Sequence, residues 1–233
     1  DTSAALALTG VRAVLTAEDL PANLIGHTHR DEPILARDTV RYLGEPVAAV
    51  AADTLAIARE ALRLIDVDYE ELPAVIEAHE ALADDAPVLH PDLEHYTSVV
   101  GSPRYGNVIA QIELETGDVD AMWDQCAAIV ESEFQIPAIQ HLYLETCGAL
   151  AEVDGTGKVT IWSSTQQVFG TQMMVAAALN LPMSKVRCIA PAVGGGFGAK
   201  FLTIEPITPA LALDPARPVT RILPLAEDLN AIR

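Results

Sequence analysis

Four glycines in five residues, Gly194-Gly195-Gly196-Phe197-Gly198, follow the apolar run VRCIA at residues 186–190, and no other stretch of this 233-residue chain restricts its fold so strongly. A glycine run after a buried strand lets the backbone approach a ligand closely and turn its N–H groups towards it. A plain surface turn also uses glycine, but it has little need of a large Phe among them. Two phosphate-binding patterns can be tested directly. The Walker loop requires Gly-Lys-Ser or Gly-Lys-Thr, whereas Ala199 precedes Lys200 and Phe201 follows it, so that pattern fails. The dinucleotide pattern GxGxxA is met by Gly194, Gly196 and Ala199. Against it, Pro206 and Pro209 interrupt the helix that should follow, and no acidic residue is placed to close a ribose site.

The rest of the chain predicts a mixed α/β fold. Residues 11–15 alternate as a short strand, and residues 47–52 (VAAVAA) suit a strand buried on both faces. Asp53 is placed to cap a helix in TLAIAREALRLI, whose Leu55, Ala58, Leu62 and Ile65 recur at helical spacing. IDVDYEEL then reads as a strand, which would complete a β–α–β unit. Residues 90–107 are polar, contain Pro and Gly and lack periodicity, so we place a domain boundary near Arg104. Beyond it, residues 108–118 and 129–136 alternate as strands around a short helix at 119–127. ALAEV and KVTIWSS flank Asp154-Gly155-Thr156-Gly157, a strong hairpin signal. VFGTQMMVAAALN reads as a helix ended by Leu181-Pro182, and VRCIA as the next strand.

Charge and cysteine usage limit the partners. The formal net charge is −19 and is spread along the chain, which leaves no basic stripe for nucleic acid or an anionic membrane. No apolar run reaches the roughly 18–20 residues of a membrane span, and the first residues do not read as a secretory leader. Cys126, Cys147 and Cys188 form no CxxC pair, which excludes a self-contained zinc or iron–sulfur site and favours a reducing, cytoplasmic setting.

Besides the glycine loop, Trp162-Ser163-Ser164-Thr165-Gln166-Gln167 stands out at the end of a predicted strand. An amide there can hydrogen-bond an anionic or oxo group without adding charge. Taken alone, a glutamine capping the following helix is an equal reading. Gln140-His141 reads as a structural pair rather than a metal ligand, and His27 with His29 as part of a solvated loop. No Ser/His/Asp motif is present, and Glu70 and Glu71 read as solvated charges.

Together these segments are far more specific than singly. GEPVAAVAADTLAIAREALRLIDVDYEELPAV followed by APVLHPDL resembles the hammerhead domain of the xanthine dehydrogenase and aldehyde oxidase family. QHLYLETCGALAEVDGTGKVTIWSSTQ, LNLPMSKVRCIAPAVGGGFGAK and RPVTRILPLAEDL resemble the first part of that family's molybdopterin-binding domain. The resemblance runs in order over nearly the whole chain and is nearest to the bacterial branch that includes carbon monoxide dehydrogenase. It implies a hammerhead domain at residues 1–104 and the beginning of a molybdopterin-binding domain at 105–233.

The resemblance also implies roles. Gln166 would hydrogen-bond an oxygen ligand of molybdenum, and Gly195, Gly196, Phe197 and Gly198 would wrap the metal end of the cofactor. The metal would be held by the pterin dithiolene, with no protein ligand, and the pterin would be in the cytosine dinucleotide form of the bacterial three-subunit branch. The family hydroxylates carbon with oxygen derived from water and passes electrons to 2Fe-2S clusters and FAD on partner subunits. Its glutamate base sits near the end of the large subunit, so no catalytic residue is expected in this chain. Neither Glu205 nor Glu227 lies in the matching motif. Both ends of the chain read as cut, which predicts a further chain or segment carrying the C-terminal half. Purine-oxidising members carry Glu after the motif's Lys; here Phe201 holds that substrate-facing place, which favours an aldehyde, an N-heteroaromatic acid, a CoA thioester or CO over xanthine. The family's CO-specific cysteine loop is not found. A non-catalytic docking or assembly module with a degenerate cofactor loop is the competing expectation.

Overall fold

The computed structural model describes residues 1–137 and 139–201, together with Ile207, Ala210 and the strand Val219–Ile222. In chain order the helices and strands are α1 (Ser3–Ala7), β1 (Val11–Thr16), β2 (Ala48–Ala52), α2 (Leu55–Arg63), α3 (Val119–Trp123), β3 (Gly148–Val153), β4 (Val159–Ser163), α4 (Val168–Ala178), β5 (Val186–Ile189) and β6 (Val219–Ile222). The chain forms two compact units, one of Asp1–Leu72 with Gln140–Arg233 and one of Pro73–Ile139. The mixed helix and strand content is that of the expected fold class.

In the first unit β1 and β2 form an antiparallel ladder from Val11 opposite Ala52 to Thr16 opposite Ala48. Helix α2 follows β2, but Thr54 and not Asp53 is its cap: the Thr54 hydroxyl accepts the Ile57 N–H at 3.2 Å. Asp53 instead receives both Nε and Nη2 of Arg12 at 2.7 Å, the bidentate geometry that suits guanidinium and carboxylate. The packed face of α2 is also rotated from the expected one. Ala61 is buried and Ile57 and Ala58 half-buried, whereas Leu55 and Leu62 are exposed. Residues 65–72 join no ladder, so the β–α–β unit expected there does not form. Alternation gives a segment two faces, but a strand also needs a neighbour for its N–H and C=O groups.

The crossover lies further along. Strands order as β5-β4-β3-β6, with β3–β4 and β3–β6 antiparallel and β4–β5 parallel, Val159 opposite Val186 and Trp162 opposite Ile189. Parallel strands require a crossover, and α4 supplies it. The β3–β4 hairpin turns where its sequence predicts: one Asp154 carboxylate oxygen accepts the Thr156 N–H at 2.8 Å, its hydroxyl at 2.7 Å and the Lys158 N–H at 3.0 Å. Helix α4 buries Val175 and Ala176 against Ile161, Val186 and Ala149. It ends with Asn180 at φ 55° and the Leu181 N–H on the Ala176 carbonyl at 2.8 Å, a left-handed cap that Asn tolerates. Ile161 is fully buried in the middle of this layer. Ile161→Ala is expected to destabilise the chain by about 2–5 kcal/mol, against roughly 0.5 kcal/mol or less for Leu55→Ala on the exposed side of α2. Urea denaturation of the two variants checks the contrast.

The second unit is sparser. The side chain of Asn107 organises it by donating to the carbonyls of Ala81 (3.1 Å) and Pro87 (2.9 Å) and accepting the Leu89 N–H at 2.9 Å. Asp118 caps α3 through the Ala121 N–H at 2.9 Å. The strands expected at 108–118 and 129–136 do not form, and Leu114, Val130, Phe134 and Ile136 are exposed. Apart from a single bridge of Val108 to Tyr105, the pattern here has no strand neighbour among the described residues.

Candidate functional site

Because β4 and β5 run parallel as neighbours, their carboxyl ends lie on one edge of the sheet. Open α/β sheets bind ligands outside that edge. Residues 164–167 leave β4 there and residues 190–200 leave β5. Thr165 ties the two together. Its buried hydroxyl donates to the Lys200 carbonyl at 3.3 Å and accepts the Gln167 N–H at 3.1 Å and the Thr171 hydroxyl at 2.9 Å, which uses its one donor and both acceptor sites.

Gln166 is the next residue. Its N–H donates to the Lys200 carbonyl at 3.0 Å, and its Oε1 accepts the N–H groups of Gly198 at 3.0 Å and Lys200 at 3.3 Å. Both partners are donors, so the amide can point only one way, with oxygen to the loop and NH2 away from it. That NH2 has no partner among the described residues. Gln166 is not a helix cap: the capping position of α4 is Gln167, whose side chain makes no cap bond.

The loop is built tightly against this side chain. A Cβ on Gly196 would lie 2.5 Å from Gln166 Oε1, and one on Gly194 would lie 2.6 Å from Glu145 Cβ. Gly195 and Gly198 adopt φ of 94° and 97°. Phe197 takes φ 52°, rare for a side chain of its size, and is exposed. The Ala199 N–H closes the turn on the Gly196 carbonyl at 2.9 Å. Three successive N–H groups, those of Gly195, Gly196 and Phe197, have no partner among the described residues. Gly196 itself is buried, so the loop does not behave as a plain surface turn. Successive free amides of this kind form a concavity for anions.

Two further residues belong to the site that sequence motifs alone do not assign to it. Both lie in segments that resemble the family, but neither Lys200 nor Glu145 is given a role by the sequence. The Lys200 side chain is fully buried, with its ammonium 2.6 Å from Glu145 Oε2 and 4.9 Å from the centre of the Tyr143 ring. The same Oε2 accepts the Gly194 N–H at 2.7 Å. Desolvation pushes the Glu145 carboxyl up, but the hydrogen bonds from Lys200 and Gly194 and the Lys200 charge outweigh it and hold the group below the usual carboxylate range. The available signal was a lone carboxylate in the apolar run LYLETC and a Lys at the end of a glycine run.

The histidines differ from expectation. His29 is buried and His27 half-buried, where a solvated loop was expected. His27 Nε2 lies 2.6 Å from the Phe201 carbonyl, which can only accept, so Nε2 carries the proton. The His27 and Phe201 rings also meet edge to face at 6.0 Å. His141 is exposed, and its N–H donates to the side-chain oxygen of Gln140 at 2.7 Å. Glu205 and Glu227 lie outside the described residues.

The donors gathered here are neutral amides. They suit an anionic, oxygen-rich group that brings its own metal ligands, since an N–H group hydrogen-bonds oxygen but does not coordinate a metal.

The molybdopterin cofactor-binding domain matches residues 102–232, and the aldehyde oxidase and xanthine dehydrogenase a/b hammerhead domain matches residues 1–73. A probable xanthine dehydrogenase subunit from Bacillus subtilis is 35% identical over 214 residues, covering 91% of this chain and 27% of the relative. The nicotinate dehydrogenase large molybdopterin subunit of Eubacterium barkeri is 37% identical over 202 residues, covering 86% of this chain and 44% of the relative. Among solved structures, reconstituted CO dehydrogenase from Oligotropha carboxidovorans superposes with a TM-score of 0.85 at 32% identity, over 98% of this chain and 30% of that one. Fold and sequence thus define a molybdopterin-binding protein of the hydroxylase class. The chain belongs to the aldehyde oxidase and xanthine dehydrogenase family, as a part of its molybdenum-binding large subunit. It spans about a quarter to under half of the length of these relatives.

Proposed function

We propose that this chain is the cofactor-gripping part of an oxidoreductase that hydroxylates a carbon centre of a small molecule with oxygen derived from water. The observation that carries the reading is the run of three amides, Gly195 to Phe197, unpaired among the described residues, beside the outward NH2 of Gln166 at the carboxyl edge of β4 and β5. When bound, the molybdenum pterin supplies the redox and oxygen-transfer chemistry, and the protein binds and orients it. The NH2 of Gln166 would donate to an oxygen on the metal, and the amides of Gly195, Gly196 and Phe197 would line the same anionic end. Gly198 would serve by its conformation, because its own N–H is engaged by Gln166. Such donors are preorganised and need no proton change at neutral pH.

The pterin in this reading is the cytosine dinucleotide form, and electrons pass to 2Fe-2S clusters and FAD on partner subunits in the cytoplasm. A glutamate base comes from a partner chain or a further segment carrying the C-terminal half. The boundary near Arg104 belongs to this reading: the cofactor-domain match beginning at residue 102 supports it, whereas the hammerhead match ends at residue 73 and Arg104 lies within the unit Pro73–Ile139. Phe201 presents a side chain with no donor or acceptor, which supports an aldehyde, an N-heteroaromatic acid, a CoA thioester or CO as substrate in place of a purine. Among the relatives, nicotinate and CO dehydrogenase carry names in this range, whereas the probable xanthine dehydrogenase subunit does not. No observation favours the docking-module alternative. Native mass spectrometry of the complex from its own source tests the reading. Partner chains and the mass of a molybdenum pterin are expected, and a chain carrying neither would overturn it.

A further inference from the structure

We infer that Glu145 and Lys200 are positioning residues, an ion-pair clasp that joins the two ends of the glycine loop and sets the direction of its free amides. The geometry is specific. One atom, Glu145 Oε2, holds the Gly194 N–H at 2.7 Å and the Lys200 ammonium at 2.6 Å, so the residues on either side of the loop meet at a single carboxylate oxygen. The Glu145 N–H also reaches the Gly194 carbonyl at 3.4 Å. From the other side, Gln166 Oε1 holds Gly198 and Lys200. Between these anchors lie the amides of Gly195, Gly196 and Phe197, unpaired among the described residues.

A segment with this much glycine has many conformations open to it and loses more entropy on ordering than any other residue type would. Its single shape must be imposed from outside, and two anchors impose it. Stability alone is a poor reason for the pair, because a pair with one buried and one partly exposed partner stabilises little more than an apolar one of the same shape. Fixing one arrangement of the loop is the better-supported use. The pair also cancels charge. Glu145 lies against the start of the loop, and without Lys200 its carboxylate would face an anionic ligand as a bare negative charge. The pair therefore leaves only neutral donors to meet the ligand. This last consequence rests on the function proposed above; the clasp itself does not.

The test uses the protein in its native complex, with Lys200→Met, Glu145→Gln and the double variant. The first readout is hydrogen exchange of the peptide spanning residues 190–201, which reports the loop whether or not cofactor is bound. Lys200→Met should speed exchange there at least about tenfold, because it leaves the partly exposed Glu145 carboxylate without its buried partner, a cost discounted for solvent screening. The second readout is molybdenum per chain. It should fall at least about tenfold in Lys200→Met and return to within roughly threefold of wild type in the double variant, where the bare charge is gone. A residue that only supports the fold would not be rescued by a second deletion. Glu145→Gln keeps the shape of a partly exposed side chain and covers the case in which Lys200→Met fails to fold. Wild-type exchange in folded variants, or a double variant worse than Lys200→Met in both readouts, would overturn the clasp. Wild-type protein without molybdenum would overturn the proposed function, and the exchange measurement would still decide the clasp.

Discussion

Replacing Gln166 by Ala should leave the complex assembled and cut turnover of the molybdenum-loaded enzyme by about 10²–10³-fold, the usual cost of one preorganised donor at a site of developing charge. Gln166 does two jobs with the two ends of one amide. Oε1 holds the loop through Gly198 and Lys200, and the NH2 points away, free of any partner among the described residues. Alanine removes both, leaves two loop amides without an acceptor, and adds a stability loss of about 1–3 kcal/mol. Gln166→Glu separates the two. A carboxylate still accepts from Gly198 and Lys200 but can donate nothing when ionised, so the loop should keep its shape while turnover stays low. Steady-state kcat, corrected for molybdenum content, and the melting temperature of both variants make the comparison. Unchanged kcat in a fully loaded Gln166→Ala enzyme would remove Gln166 from the reacting centre.

The second large effect is expected at Gly196. An added Cβ would sit 2.5 Å from Gln166 Oε1 and 2.7 Å from its Cδ, closer than real contacts allow. That oxygen cannot swing aside without releasing both amides it holds. Gly196→Ala should therefore cost about 1–3 kcal/mol in overpacking and lower molybdenum occupancy by at least about tenfold, the equivalent of roughly 1.4 kcal/mol of binding. Gly155→Ala is the matched control: nothing lies within 4 Å of a Cβ in that turn, and a change of roughly 0.5 kcal/mol or less is expected. Because the clash is with Gln166, the double variant Gly196→Ala with Gln166→Ala should be no less stable than Gln166→Ala alone, a non-additivity that identifies contact. Full occupancy in Gly196→Ala would show that the loop does not depend on this close approach.

Local sequence determined a good part of this protein. The hairpin at 154–157, helix α4 with its Leu-Pro end and the strand VRCIA are each specified by residues that interact within a few positions of one another. An Asp that folds back on its own turn or a Pro that stops a helix acts wherever the chain sits. The glycine loop and Gln166 were legible too, because runs of glycine beside an aromatic and an amide at a strand end have few structural uses. The order of these segments along the chain then pointed to the family.

Tertiary structure decided the rest. Asp53 was expected as a helix cap and became the partner of Arg12, and His27 left an expected solvated loop to meet the Phe201 carbonyl. Residues 65–72, 108–118 and 129–136 all carry a strand pattern, yet none forms a strand ladder among the described residues, since alternation specifies faces and not neighbours. Glu145 and Lys200 are 55 residues apart. Each reads alone as an ordinary charge, and neither their pairing nor the direction of the three free amides can be seen until β3, β4 and β5 bring the loop ends together. Contacts between distant residues depend on where every intervening element packs, and that information is not stored at either position.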